Sequence, residues 1–226
     1  MEKLVYLIFQ EADLPGSELR AGLLGKAAPA LRAAGAREIT VNVQDDEVAR
    51  GTPMRRSDPP IRAMVSFWMH DADDRGPCED ALGEHARRLA GYLVLESRPL
   101  VHEAPTGRRT PGMNQVTCIA KKPGLDYDEF IRLWCQDHKV VAVETQSTVG
   151  YVRNVIVRKL TEGAPDWDAI VEETFPIEAL TDPHVFYDAE SEEALRRNSE
   201  RMLASCRRFL DFEPLEYTHM SEYYLG

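Results

Sequence analysis

Apolar positions along the chain keep two rhythms, and the changes between them predict the elements. Leu4–Phe9 reads as a strand, Ser17–Ala34 as a helix, Glu38–Val43 and Ala63–His70 as strands, Glu79–Leu89 as a helix, and Leu93–Val101 as a strand. A turn-rich, weakly hydrophobic stretch follows, Ala104–Gly112. The same order then returns as strand-like Gln115–Ala120, helical Tyr127–Glu144, strand-like Tyr151–Val157 and Ala169–Thr174, helical Glu190–Phe209 and strand-like Leu215–Tyr224. Both halves read βαββαβ. Ser17 and Asp126 stand where capping side chains start helices, and Asp126-x-x-Glu129 is close to a capping box.

That order predicts an α+β fold of tandem ferredoxin-like units, each an antiparallel sheet with two helices on one face. The expected boundaries are residues 1–103 and 113–226. A single such unit leaves one sheet face bare, so two in one chain are expected to pack sheet to sheet and can enclose a cavity. Independent modules on a linker are the alternative.

The last strand alternates cleanly. Leu215, Tyr217, His219, Ser221 and Tyr223 share one face, an aromatic surface with polar tips. It suits a ligand cavity, and tyrosines bonded to backbone in a core would explain it equally well.

Composition narrows the class. With 43% hydrophobic and 29% charged residues, the 226-residue chain reads as an ordinary globular protein. The Leu4–Phe9 run is far shorter than a membrane span and lacks a cleavage site after it, so a cytoplasmic location is expected. Cys78, Cys118, Cys135 and Cys206 have neither zinc-site nor disulfide-framework spacing. A net charge of -11 with no basic run argues against nucleic acid as a partner. The six histidines, His70, His85, His102, His138, His184 and His219, form no metal-binding motif, and no metal or cofactor is expected. Gly22-Leu-Leu-Gly25-Lys26 fails as a phosphate loop because Ala27 replaces the Ser or Thr and the segment sits in a helix pattern. Cys135 lacks a paired base at helical spacing and reads as packed.

Phe130, Trp134 and His138 recur at four-residue steps, so on a helix they form one stripe ending in an imidazole that titrates near neutral pH. Gly150-Tyr151-Val152-Arg153-Asn154 follows. These residues resemble the EthD-like family of the dimeric α+β barrel superfamily, strongly over Met113–Gly226 and weakly over the first half. Two departures stand out. Val140 occupies a position where the family often has proline, so the helix is expected to continue. An offset of 111 residues sets Val5 against Val116, but it sets Leu23 against Trp134 and Ala27 against His138, so the first copy lacks the motif.

The resemblance implies a cofactor-independent small-molecule enzyme, of lyase type (dehydratase, decarboxylase or cyclase) or else a cofactor-free oxygenase, acting on a hydrophobic aromatic or polyketide-like substrate held between sheet and helices. It implies His138 as general acid or base, with Phe130 and Trp134 walling the site and Tyr151, Tyr217 or His219 orienting the ligand; a helix-end or core histidine whose ring nitrogens bond to backbone is the alternative. Arg153 shares a strand face with Tyr151 and could hold an anionic group, or pair with a surface acid. Asp137 points about 100° away from His138 around the helix. Other branches of the superfamily bind haem through a histidine, which nothing in the spacing requires. A non-catalytic binding or accessory protein of a degradation pathway is the alternative function. Edge strands and helix surfaces leave a homo-oligomer open.

Overall fold

The computed structural model describes residues 1–226. The first half runs β1 (Glu2–Phe9), α1 (Gly16–Gly22), a π-helical turn (Leu23–Ala27), α2 (Ala28–Ala33), β2 (Arg37–Val43), β3 (Ile61–Met69), α3 (Gly76–Gly83) and β4 (Arg88–Leu100). The second runs β5 (Met113–Lys121), α4 (Tyr127–Arg132), a second π-helical turn (Leu133–His138), α5 (Lys139–Thr145), β6 (Gly150–Lys159), β7 (Ala169–Phe175), α6 (Pro183–Phe186), α7 (Glu192–Cys206) and β8 (Leu210–Tyr224). The eight strands close into one antiparallel barrel in the order β1-β3-β2-β8-β5-β7-β6-β4. In each half the first strand lies between the third and the fourth, and the halves meet at β2–β8 and β4–β6.

Strand alternation divides the apolar side chains between two faces. Val5, Leu7 and Phe9 point into the barrel with Tyr92, Val116, Cys118, Ile170 and Met220. Leu4, Tyr6 and Ile8 point outward beneath the first-half helices, with Leu23, Ala27 and Leu31 above them. The corresponding outer layer of the second half holds Ile119, Phe130, Trp134, Tyr151 and Phe209. No helix is long and apolar enough to cross a membrane.

Local caps set some element ends and long-range contacts set others. The Asp126 side chain accepts from the backbone N–H groups of Asp128 and Glu129 at the start of α4, as its spacing predicts. The long helix then continues past Val140 to Thr145. Three expectations need correction. Ser17 does not cap α1; the helix starts at Gly16 after Pro15, where a Cβ would sit 2.6 Å from the Gln44 carbonyl oxygen, so close backbone approach fixes this end. The helix expected over Glu79–Leu89 ends at Gly83, because Arg88 and Leu89 pair with Phe9 and Ile8 across the β1–β4 ladder. The last strand starts at Leu210 instead of Leu215, and the short α6 was not anticipated.

Candidate functional site

The Phe130/Trp134/His138 stripe forms on the α4–α5 helix and faces the outer surface of the second-half sheet. Trp134 donates its indole N–H to the Tyr151 hydroxyl at 3.0 Å, which locks two large aromatics across the helix–sheet gap. Phe130 stacks behind Trp134 at 5.6 Å between ring centroids and is fully buried. His138 packs against Phe209 at 4.9 Å, and its Nδ1 lies 2.9 Å from the Ser205 hydroxyl of α7. Asp137 turns away and pairs with Arg132 and Arg208 at the surface.

A cavity of about 330 Å³ opens between this helix, α7 and the sheet. Gln115, Thr117 and Ile119 of β5 and Val171 and Glu173 of β7 make its floor. Trp134 and His138 stand on one wall, Met202 and Cys206 on another, while Met54, Tyr187 and Tyr217 border it. Met54 belongs to the first half, bonded through its backbone to Tyr217, so both halves build the pocket. The lining is mostly apolar and contains no Lys or Arg.

Burial in this setting moves the ionisable groups. It lowers His138 to about 4, so the imidazole is neutral at neutral pH. It raises the Glu173 carboxyl to about 7. No side-chain hydrogen bond or ion pair engages that carboxyl, which leaves both oxygens for a ligand. The Tyr151 phenol is pushed up, chiefly by burial, and stays a proton donor. Burial also lifts Cys206 to about 12 and raises Cys135, which removes both as thiolate nucleophiles.

Of the residues read from the sequence, His138, Trp134, Tyr151 and Tyr217 line the pocket. Phe130 supports Trp134 from behind. Arg153 lies outside: its guanidinium donates to the Ser97 hydroxyl and the Cys135 carbonyl, 5.9 Å from the Trp134 and Tyr151 ring centroids. Its bonds to Ser97 and the Cys135 carbonyl hold it away from the lining of this cavity. His219 lines a neighbouring cavity that shares Gln115, Phe186, Tyr187 and Tyr217 with the first, and its ring meets Tyr217 at 5.6 Å. Glu173 is the residue that the sequence reading missed. Its signal was the pair Glu172-Glu173 inside an apolar strand, since strand alternation must send one carboxylate to each covered face.

No group of three or more His, Cys, Asp or Glu side chains is placed to hold a metal ion. The lining of this pocket offers no Lys or Arg to pair with the propionates of a haem.

Comparison with known proteins agrees with the helix motif. Residues 122–213 match the EthD domain, which bears out the resemblance over the second half of the chain. The chain is similar in fold to an anthrone oxidase-like protein of known crystal structure, with 11% identity, a TM-score of 0.57, and coverage of 100% of this chain and 93% of that one. A protein of Lactobacillus acidophilus NCFM provisionally named a monooxygenase matches with 8% identity, a TM-score of 0.50, and coverage of 100% and 96%. At these identities the likeness is one of fold, the dimeric α+β barrel. No curated protein matches the sequence.

Proposed function

We propose that this chain is a cofactor-independent enzyme of lyase type acting on a hydrophobic, aromatic or polyketide-like small molecule in the sheet–helix pocket. In this reading residues 113–226 form the site-bearing ferredoxin-like unit, and residues 1–103 form a second unit that closes the barrel and lends Met54. The observation that carries the proposal is Glu173: a carboxyl without a protein partner, on the floor of an aromatic pocket, with burial raising it to about 7. Such a group is available both as base and as acid at neutral pH.

For a β-hydroxy carbonyl substrate the step balances without a co-reactant. The Glu173 carboxylate takes the proton on the carbon next to the carbonyl, and the electron pair forms the new double bond as the C–O bond to the hydroxyl breaks. The proton on Glu173 then passes to the departing oxygen, which leaves as water. The Tyr151 hydroxyl supplies a hydrogen bond to the carbonyl oxygen as negative charge develops. His138, neutral at working pH, serves as a hydrogen-bonding partner through its other ring nitrogen, a narrower role than the acid–base one that its position in the motif suggests.

The test is mass spectrometry of hydroxylated aromatics and short polyketides incubated with wild type, Glu173→Gln and His138→Ala. Turnover that falls about 10²–10⁴-fold in Glu173→Gln, with loss of an inflection near pH 7, is the expected result. Unchanged turnover in Glu173→Gln would remove the proposed mechanism. Retention of unaltered ligand by all three proteins would instead favour the binding-protein reading, which the Ser205 and Phe209 contacts of His138 accommodate.

A further inference from the structure

A further cavity, about 380 Å³, lies at one mouth of the barrel, where all eight strands contribute lining residues and the 101–104 segment borders it. Its chemistry is opposite to that of the aromatic pocket. Five carboxylates line it, Glu38, Glu96, Glu103, Glu172 and Glu222, against two cations, Lys3 and Arg98.

The internal repeat shows where a charge is missing. In the first half Lys3 faces Val94 across the β1–β4 ladder, and Glu96 stands two residues further on the same face. Lys3 spans that diagonal, pairs with Glu96, and also donates to the Asn154 side-chain oxygen at 2.8 Å. In the second half Asn114 occupies the place of Lys3: it faces Met220 across β5–β8, and Glu222 stands two residues further on. Asparagine is too short to reach across. Glu222 therefore has no cation in contact; Thr110 donates to its Oε1 at 2.8 Å, and its Oε2 has no partner. Burial and the neighbouring Glu172 carboxylate push the Glu222 carboxyl up.

Asn114 is unsatisfied as well. Its Nδ2 donates to Asn42 Oδ1 at 2.8 Å, and Asn42 in turn donates to Glu172, which fixes the amide orientation. Asn114 Oδ1 is left buried without a partner, on a residue 2% exposed that lines the cavity. A buried acceptor in that state calls for a donor.

We propose that the barrel mouth binds a small organic cation, with a primary ammonium group seated between Asn114 Oδ1 and Glu222, where the repeat of Lys3 would place its own ammonium. An ammonium offers three donors and one positive charge, which matches one free amide oxygen, one free carboxylate oxygen and the excess of carboxylates. The site is separate from the aromatic pocket, so it stands or falls independently of the proposed reaction.

Titration calorimetry of the full chain with ethylammonium, 1,4-diaminobutane and the neutral control 1,4-butanediol tests this. Saturable one-to-one binding of an amine, with no binding of the diol, is expected. Glu222→Gln should weaken it about tenfold, the loss of one charge-assisted hydrogen bond. Asn114→Lys should abolish it by filling the place of the ligand, while melting no lower than wild type. Glu213→Gln, at an exposed acid, should leave it unchanged and so exclude diffuse attraction to the acidic surface. Equal binding of the diol, absence of saturable amine binding, or undiminished binding by Asn114→Lys would each overturn the inference. Should Glu222→Gln fail to fold, Asn114→Lys decides.

Discussion

The two helix–sheet layers share one plan, yet one is solid and the other hollow. In the first, Leu4 pairs with Phe67 and Tyr6 with Val65 across β1–β3, and all four are fully buried. Tyr6 stacks on Phe67 at 5.6 Å with rings 9° apart. Gly91 permits this, since a Cβ there would lie 2.4 Å from the Tyr6 ring. At the same ladder positions the second layer has Gln115 paired with Glu173 and Thr117 paired with Val171. Tyr217 stands where Gly91 stands, opposite Thr117. Above the sheet, Trp134 and His138 take the places of Leu23 and Ala27, each set within a π-helical turn. A π turn is often read as a functional mark. Here it occurs in both layers, and the cavity forms where Thr117 and Glu173 stand in the places of the Tyr6 and Phe67 rings.

The most disruptive test carries the hollow layer into the solid one. Phe67→Glu should destabilise the protein by about 4–5 kcal/mol, because it removes a buried ring and leaves a carboxyl with no cavity to receive it. A urea midpoint that barely moved would mean that the first layer is less closely packed than its contacts indicate. The converse change, Glu173→Phe, should abolish ligand binding and raise stability by about 1–3 kcal/mol through added apolar burial, as read from thermal and urea melts.

pH sharpens the contrast further. Glu173 is raised from 4.5 to about 7 in the fold, so its neutral form is the one that folding favours. Below pH 4.5 it costs nothing; as pH rises towards 7 the wild type should lose stability relative to Glu173→Gln, by on the order of 1–3 kcal/mol. His138 works in the other direction. Its value falls from 6.5 to about 4, so stability should drop as pH falls through that window, and His138→Gln should flatten the drop. Urea melts at intervals between pH 4 and 8 separate the two. The smallest effect belongs to Arg153→Ala, which should change ligand affinity less than about twofold, because its guanidinium sits on surface partners outside the pocket. A larger loss would bring Arg153 back into the site.

Much of this was legible in the chain. The βαββαβ order, the Asp126 cap and the Phe130/Trp134/His138 stripe depend on spacings of three or four residues along one helix or two along one strand, and sequence displays these directly. Offsetting the halves also showed Leu23 and Ala27 where the second copy has Trp134 and His138. Arg153 and His219 were harder. Both lie on the predicted strands, but whether they reach the pocket depends on neighbours far away in sequence, Cys135 for Arg153 and Gly51 packed against the ring for His219.

The sequence by itself determined the order of strands and helices in each half and the one helix that carries aromatic and titratable groups, since local periodicity encodes which residues share a face. Only the tertiary structure decided which carboxylate of the Glu172-Glu173 pair enters which cavity, that burial raises the Glu173 carboxyl while it lowers the His138 imidazole, and that Asn114 leaves Glu222 without a cation in contact. Those outcomes rest on ladder register and burial, which bring together residues dozens of positions apart and set the local dielectric.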